Sequence, residues 1–287
     1  MKYLLLSSLF LTQLTAMAQE RATKLNLQPG QKITVRSVDT TLTTQKRGDQ
    51  QTDMKTNTAA ATVYEVLGNS EQGFRLSATL SKVKVDFDGF GTTMTFDSED
   101  PKKQEGMMAE NLKERIGKPD TMELDSQGKI IEKGPAEGGN GRGGGKGGGA
   151  GMGRGRGMMR AFNQQGSHIE HAFLLVPAEA GVGQGWKKDE TKDGVKSQTI
   201  YFVDKINGTT AEISFKKKTK GTRAMQGGQQ GPMSLDIDNL SSGNLTVDLR
   251  TGLVKTYREE TETKTVMHMG EQDMPSTGKT VTQLVFE

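Results

Sequence analysis

The chain has 287 residues, 38 Lys and Arg against 35 Asp and Glu, a formal net charge of +3, 37 Gly, 15 Met, three His and no Cys. A charge balance so close to neutral argues neither for nucleic acid nor for an anionic membrane surface as partner, and without Cys there is no disulfide scaffold and no thiol nucleophile. Hydrophobic residues make up 32% of the chain, lean for a compact enzyme, so long stretches must be loops or strands with one solvated face.

At the start, Lys2 precedes the apolar runs Tyr3 to Leu6 and Leu9 to Leu11, and Ala16-Met17-Ala18 follows. This is the order of a secretory signal peptide, predicted to span 1–18 and leave a mature chain from Gln19. The apolar run is far shorter than the roughly 20 residues a spanning helix needs, so no transmembrane segment is expected after cleavage. The protein is therefore read as exported, periplasmic or extracellular.

Residues 19–133 read as a first β-rich half with one helix. Ile33, Val35 and Ser37 alternate with Thr34 and Arg36, the period of a half-buried strand. Polar sequence around Gly48 reads as a loop into a strand over 61–67, and Gly68-Asn69 and Gly73 turn the chain back into Phe74, Leu76, Ala78 and Leu80. At Ser81-Lys82 the alternation slips by one and resumes as Val83, Val85 and Phe87, which predicts a bulge or sharp bend. After Asp88-Gly89 comes a strand at Met94 to Phe96. A helix is expected between Asp100, a suitable N-cap followed by Pro101, and Gly117 with Pro119; Met108, Leu112 and Ile116 give it one apolar stripe. Residues 121–125 and 129–132 make a short hairpin.

Residues 134–157 contain GGNGRGGGKGGGAGMGRGRG and cannot form a packed element, because Gly has no side chain to bury and loses the most backbone entropy on ordering. They read as a disordered connector. Arg142, Lys146, Arg154 and Arg156 within it lack the interleaved aromatics of single-strand nucleic-acid binders. Residues 158–287 form the second β-rich half, with a helix drawn from Met158, Met159, Phe162, Ile169 and Phe173 and ended by Pro177. Gly183-Gln184 echoes Gly30-Gln31, 199–203 echoes 62–66, and 245–248 echoes 94–97, the pattern of an internal duplication. The expected fold class is α+β, with mostly antiparallel, curved sheets in two related halves, each with an associated helix.

Few residues carry chemistry. His168 and His171 flank Glu170 without a third ligand nearby, a pattern more common among solvated helix residues than at a metal. Met267-His268-Met269, with Met274 close by, offers soft thioether sulfur of the kind that selects Cu(I). On a strand, however, Met267 and Met269 share a face that His268 does not, so all three cannot converge without a turn, and sheet packing is the commoner explanation. No GxxxxGK[ST], GxSxG or HExxH motif is present. Asp86, Asp88, Asp97 and Asp248 read as turn formers.

The opening GQK and the segments GFRLSATLSKVKVDFDGFGTTMTFDSED, IGKPDTMELDSQGKI, VPAEAGVGQGW and GNLTVDLRTGLV resemble an uncharacterised family of exported Bacteroidota proteins, a domain of unknown function. The likeness spans nearly all the mature chain except the Gly tract; Gly185 before Trp186 departs from the acidic residue expected in relatives. In outline that family is similar to envelope lipid carriers of the lipoprotein-localisation type, whose curved sheet wraps helices and holds acyl chains. That likeness is one of architecture and does not by itself supply a function. The absence of catalytic motifs points to a non-catalytic protein without cofactor, and helix stripes and sheet faces that should meet in one cavity point to a lipid or other apolar ligand, with Phe87, Phe96, Met108, Leu112, Met158 and Phe162 as candidate walls. An envelope structural or protein-interaction module is the alternative, and copper or silver binding at Met267, His268 and Met269 a third reading.

Overall fold

The computed structural model describes residues 21–48, 50–131, 165–225, 233–270 and 272–287. The expected signal peptide and the Gly-rich connector lie outside them. Eleven strands run as β1 (Lys32–Arg47), β2 (Gln50–Asn69), β3 (Gly73–Gly89), β4 (Thr92–Asp97), β5 (Pro119–Asp125), β6 (Gly185–Lys192), β7 (Val195–Asn207), β8 (Thr210–Met225), β9 (Met233–Asp248), β10 (Val254–Met269) and β11 (Gln272–Phe286). All belong to one antiparallel sheet in the order β4-β3-β2-β1-β11-β10-β9-β8-β7-β6, with β5 also paired to β3. Pairing of β1 with β11, from Val35 opposite Phe286 to Gln45 opposite Ser276, makes the sheet continuous across both halves of the chain.

This overturns the α+β expectation of a helix in each half. The first helix is broken: Asp100 caps a 3-10 turn at Pro101–Lys103 by accepting from the Lys102 backbone N–H, Gly106 then takes φ 88°, and the α-helix proper, α1, is only Met107–Lys113. A positive φ at Gly106 ends one element and restarts the next, and four-residue periodicity does not register it. The second helix reduces, within the described residues, to a 3-10 helix at Gln165–His171. The apolar residues after it are buried without helical geometry. Leu174 N–H donates to Gly252 O, and the Ala172 carbonyl accepts from Val254 N–H, so this segment runs as a strap across the sheet.

The slip at Ser81 is a bulge. Ala61 faces Lys82 while Thr62 faces Leu80, so Ser81 is the extra residue, and its hydroxyl donates to Ala61 O at 2.9 Å. That keeps Leu80 and Val83 on the same face although three positions separate them. The polar sequence around Gly48 is not a loop: β1 and β2 continue as paired strands to a turn at its position. The polar residues at 40–53 carry no apolar alternation because no layer covers the sheet there, and Thr suits a pleated surface on its own.

One face of the sheet carries the core, gathered at one end of the long strands. Ile33, Val35, Tyr64, Leu76, Leu124, Ile213, Phe215, Leu245, Tyr257, Leu284 and Phe286 of the sheet pack with Leu25, Leu27, Ile169 and Phe173 from the covering segments. A smaller cluster joins Val83, Val85 and Phe96 to Ala109 and Leu112 of α1. Gly243 lies opposite Phe215, and a Cβ there would sit 2.1 Å from Arg258 O and 2.6 Å from the Phe215 ring. The aromatic ring thus fills the place of the absent side chain, a recurrent device in sheets. The edge strand β6 is nearly all exposed and carries Lys187, Lys188, Asp189 and Glu190, charges that discourage edge pairing with another chain.

Candidate functional site

Along the covered face the apolar rows give way to a polar belt before the strands leave the core. On β1 the inward set Ile33 and Val35 continues as Ser37 and Asp39, both buried although polar, and Thr58 of β2 is buried beside them. Asp39 is 5% exposed. It is held by two donors: Thr282 Oγ1 donates to its Oδ1 at 2.6 Å, and His168 Nε2 lies 3.2 Å from its Oδ2. A buried carboxylate is tolerated only with such partners.

Thr282 also faces Glu259 of β10, which places the two carboxylates on alternate strands, about 10 Å apart across the sheet. The Tyr257 hydroxyl donates to Glu259 Oε2 at 2.8 Å, and burial together with that carboxylate pushes the phenol well above its usual range. The His171 ring packs on Tyr257 at a centroid distance of 4.5 Å and is 6.4 Å from His168. Burial pushes His171 down to about 4; Glu259 and Asp39 oppose the shift, while His168 and Lys217 add to it. His171 is therefore neutral at physiological pH.

Beside this belt, between the sheet and α1, lies a cleft of about 320 Å³, at the small end of the range for ligand sites. Val35, Ala60, Leu80 and Val83 from the sheet, Leu112 from α1 and Met122 from β5 give it apolar walls. Ser37, Thr58 and His168 supply polar groups, and Glu114, Arg115, Lys118 and Asp120 add charge. The bulge at Ser81 is what presents both Leu80 and Val83 to this space. Such a lining suits a ligand with an apolar segment and a polar end.

Of the expected wall residues, Leu112 lines the cleft. Phe96 is packed beneath it in the smaller cluster, and Phe87 is buried further along β3, opposite Thr56 and Met94. Met158 and Phe162 lie outside the described residues, as does the Met108 side chain. Met267 and Met269 face the same side as the core, whereas His268 is on the opposite face, 2.7 Å from Asp273 and 3.1 Å from Asp236. Those two carboxylates raise the His268 pKa. The three residues therefore do not form one site. Among the described residues there is no group of three or more His, Asp or Glu arranged to hold a metal ion, and no helix is long and apolar enough to cross a membrane.

Sequence reasoning misses Ser37, Asp39, Thr58, Tyr257 and Glu259. The available signal is phase: Ser37 and Asp39 continue the inward alternation of Ile33 and Val35, which aims polar groups at a covered face. His168 stands out in the sequence, but its partner Asp39 is 129 residues away.

Comparison with known proteins gives a family for part of the chain and a fold for most of it. Residues 71–133, from the end of the β2–β3 turn to just past the β5 hairpin, match a family described as a family of unknown function (DUF6263). No curated protein matches the chain by sequence. Among solved structures, one described as "lipid-protein interactions in lipovitellin" is similar at a TM-score of 0.50 and 11% identity, over 91% of this chain and 25% of that one. Pseudomonas aeruginosa OpdQ aligns over 89% of this chain and 99% of its own, but with a TM-score of 0.24 and 6% identity it carries no argument about fold. The chain thus spans a quarter of the length of lipovitellin, and the likeness is one of fold: a large antiparallel sheet.

Proposed function

We propose that this is an exported, non-catalytic binding protein that holds a lipid or similar amphiphile in the cleft between β1, β2, β3 and α1. The observation that carries the reading is the lining of that space, with apolar walls from Ala60, Leu80, Val83 and Leu112 beside the polar groups Ser37, Thr58 and His168. The lipovitellin-like fold supports it, since that structure is described as one of lipid–protein interactions. A binding rather than catalytic role is favoured because the belt's strongest polar groups are engaged with one another: Asp39 with Thr282 and His168, Tyr257 with Glu259. Export rests on the sequence of residues 1–18.

The test is native mass spectrometry of the mature chain, purified without detergent, followed by titration with a fluorescent fatty acid. Saturable binding is expected, and Ala60→Trp should abolish it by filling the cleft. Ala59→Trp, on the opposite face of β2, should leave it intact. A bare mass with no saturable binding, or an Ala60→Trp protein that binds like the parent, would overturn the reading. A second reading, an envelope interaction module, is favoured by the outward face, where Val38, Leu42, Ile200, Phe202, Leu240 and Val285 remain exposed. Retention of a partner by the parent chain and its loss in a Phe202→Ser, Leu240→Ser variant would support that alternative.

A further inference from the structure

Beyond the core, the covered face of the sheet becomes polar: Ser241 and Thr261 share a hydrogen bond on neighbouring strands, as do Ser197 and Thr219. At the last two rows the same face turns to methionine. Met233 of β9 is opposite both Met225 of β8 and Met269 of β10, and Met267 is opposite Met274 of β11. Directly opposed residues have Cβ atoms about 4.5–5.5 Å apart, and Met267 and Met269, two positions apart on one strand, are about 7 Å apart. Five thioethers from four adjacent strands therefore occupy one patch.

This patch is not core. None of the five methionines belongs to either hydrophobic cluster, yet each is half-buried. Methionine has three rotatable bonds and a polarisable sulfur, so sulfurs on such a lattice can converge from several strands on one ion. Neutral thioether is a soft donor that selects monovalent copper over hard cations, and the chain has no Cys to compete. The charged groups nearby do not displace this chemistry. Arg223 on β8 is paired with Asp193 at 3.0 Å, and the His268 imidazole, with Asp236 and Asp273, is on the other side of the sheet.

We infer that Met233, Met267, Met269 and Met274, with Met225 at the margin, form a binding site for a soft monovalent cation, Cu(I) or Ag(I). It is independent of the cleft, and it replaces the Met267, His268 and Met269 triad with a cross-strand set. The test is titration of the mature, full-length chain with Ag(I), and with Cu(I) against a chromophoric Cu(I) chelator, read by native mass spectrometry and chelator competition. One tightly held ion is expected. Met267→Leu, Met269→Leu protein, whose side chains keep nearly the same volume, should lose it while retaining its thermal transition, whereas His268→Gln should keep it. Methionines on the far half of the sheet provide the internal control: Met54→Leu, Met94→Leu protein, altered on β2 and β4, should bind like the parent. The inference is overturned if the parent holds no ion, if Met267→Leu, Met269→Leu protein holds it equally well, or if His268→Gln abolishes binding.

Discussion

Acid should destabilise this protein through one side chain in a defined window. His171 has a pKa of about 4 in the fold against 6.5 for an unperturbed imidazole. Its surroundings set that value: burial, with smaller contributions from His168 and Lys217, disfavours the imidazolium, and Glu259 and Asp39 only partly offset this. Between these two pH values the unfolded chain binds a proton at position 171 that the folded chain does not, so stability falls as pH falls from 6.5 to about 4 and is flat above. The difference is worth up to about 3 kcal/mol, and about 2 kcal/mol is the working expectation because the ring keeps some solvent contact. The assay is urea denaturation of the mature chain and of His171→Phe protein, which keeps an aromatic ring against Tyr257, across this range. The carboxylates whose pKa is lowered by ion pairs or hydrogen bonds, such as Glu190 and Glu260, and the raised His268, contribute to both proteins and cancel in the difference. Wild type should lose its advantage over the variant as pH drops. Parallel stability profiles from neutral pH down to about 4 would refute the assigned burial.

Two further predictions concern the sheet and its polar belt. Gly243→Ala should cost about 3 kcal/mol in chemical denaturation, the upper range for overpacking, because its Cβ would meet the Arg258 carbonyl, which is backbone and cannot rotate away. A loss below about 0.5 kcal/mol would show that the strands part easily at this point. Asp39→Ala should cost about 2 to 3 kcal/mol by leaving the Thr282 hydroxyl and His168 without their acceptor. Asp39→Asn should recover part of that; equal losses in the two variants would mean that only the carboxylate can serve, and losses below about 0.5 kcal/mol in both would refute a contribution from its hydrogen bonds.

The β-rich character, the strand phases and the Ser81 bulge were legible in the sequence because each is local: alternation assigns residues to faces, and a slip in alternation has few geometric remedies. The turn glycines and the Asp100 cap were legible for the same reason. Helix content was not. The stripe Met108, Leu112 and Ile116 has helical spacing, but the expected helix is broken at Gly106, ahead of the stripe, and the α-helix ends at Lys113, before Ile116; apolar residues at 172–176 gain burial by crossing the sheet rather than by coiling. The uncovered ends of β1, β2, β8 and β9 were also hidden, since strands exposed on both faces lose the period-two signal.

What the sequence determined by itself is the direction in which each strand's side chains point; Met267 and Met269 are parted from His268 by that rule alone. Tertiary structure decided which strands are neighbours. That choice brings Asp39 to His168 and Thr282, sets Leu80 and Val83 against Leu112, and gathers methionines from four strands at one end of the sheet. Strand pairing is chosen by long-range burial and hydrogen bonding over the whole sheet, so no window of sequence contains it.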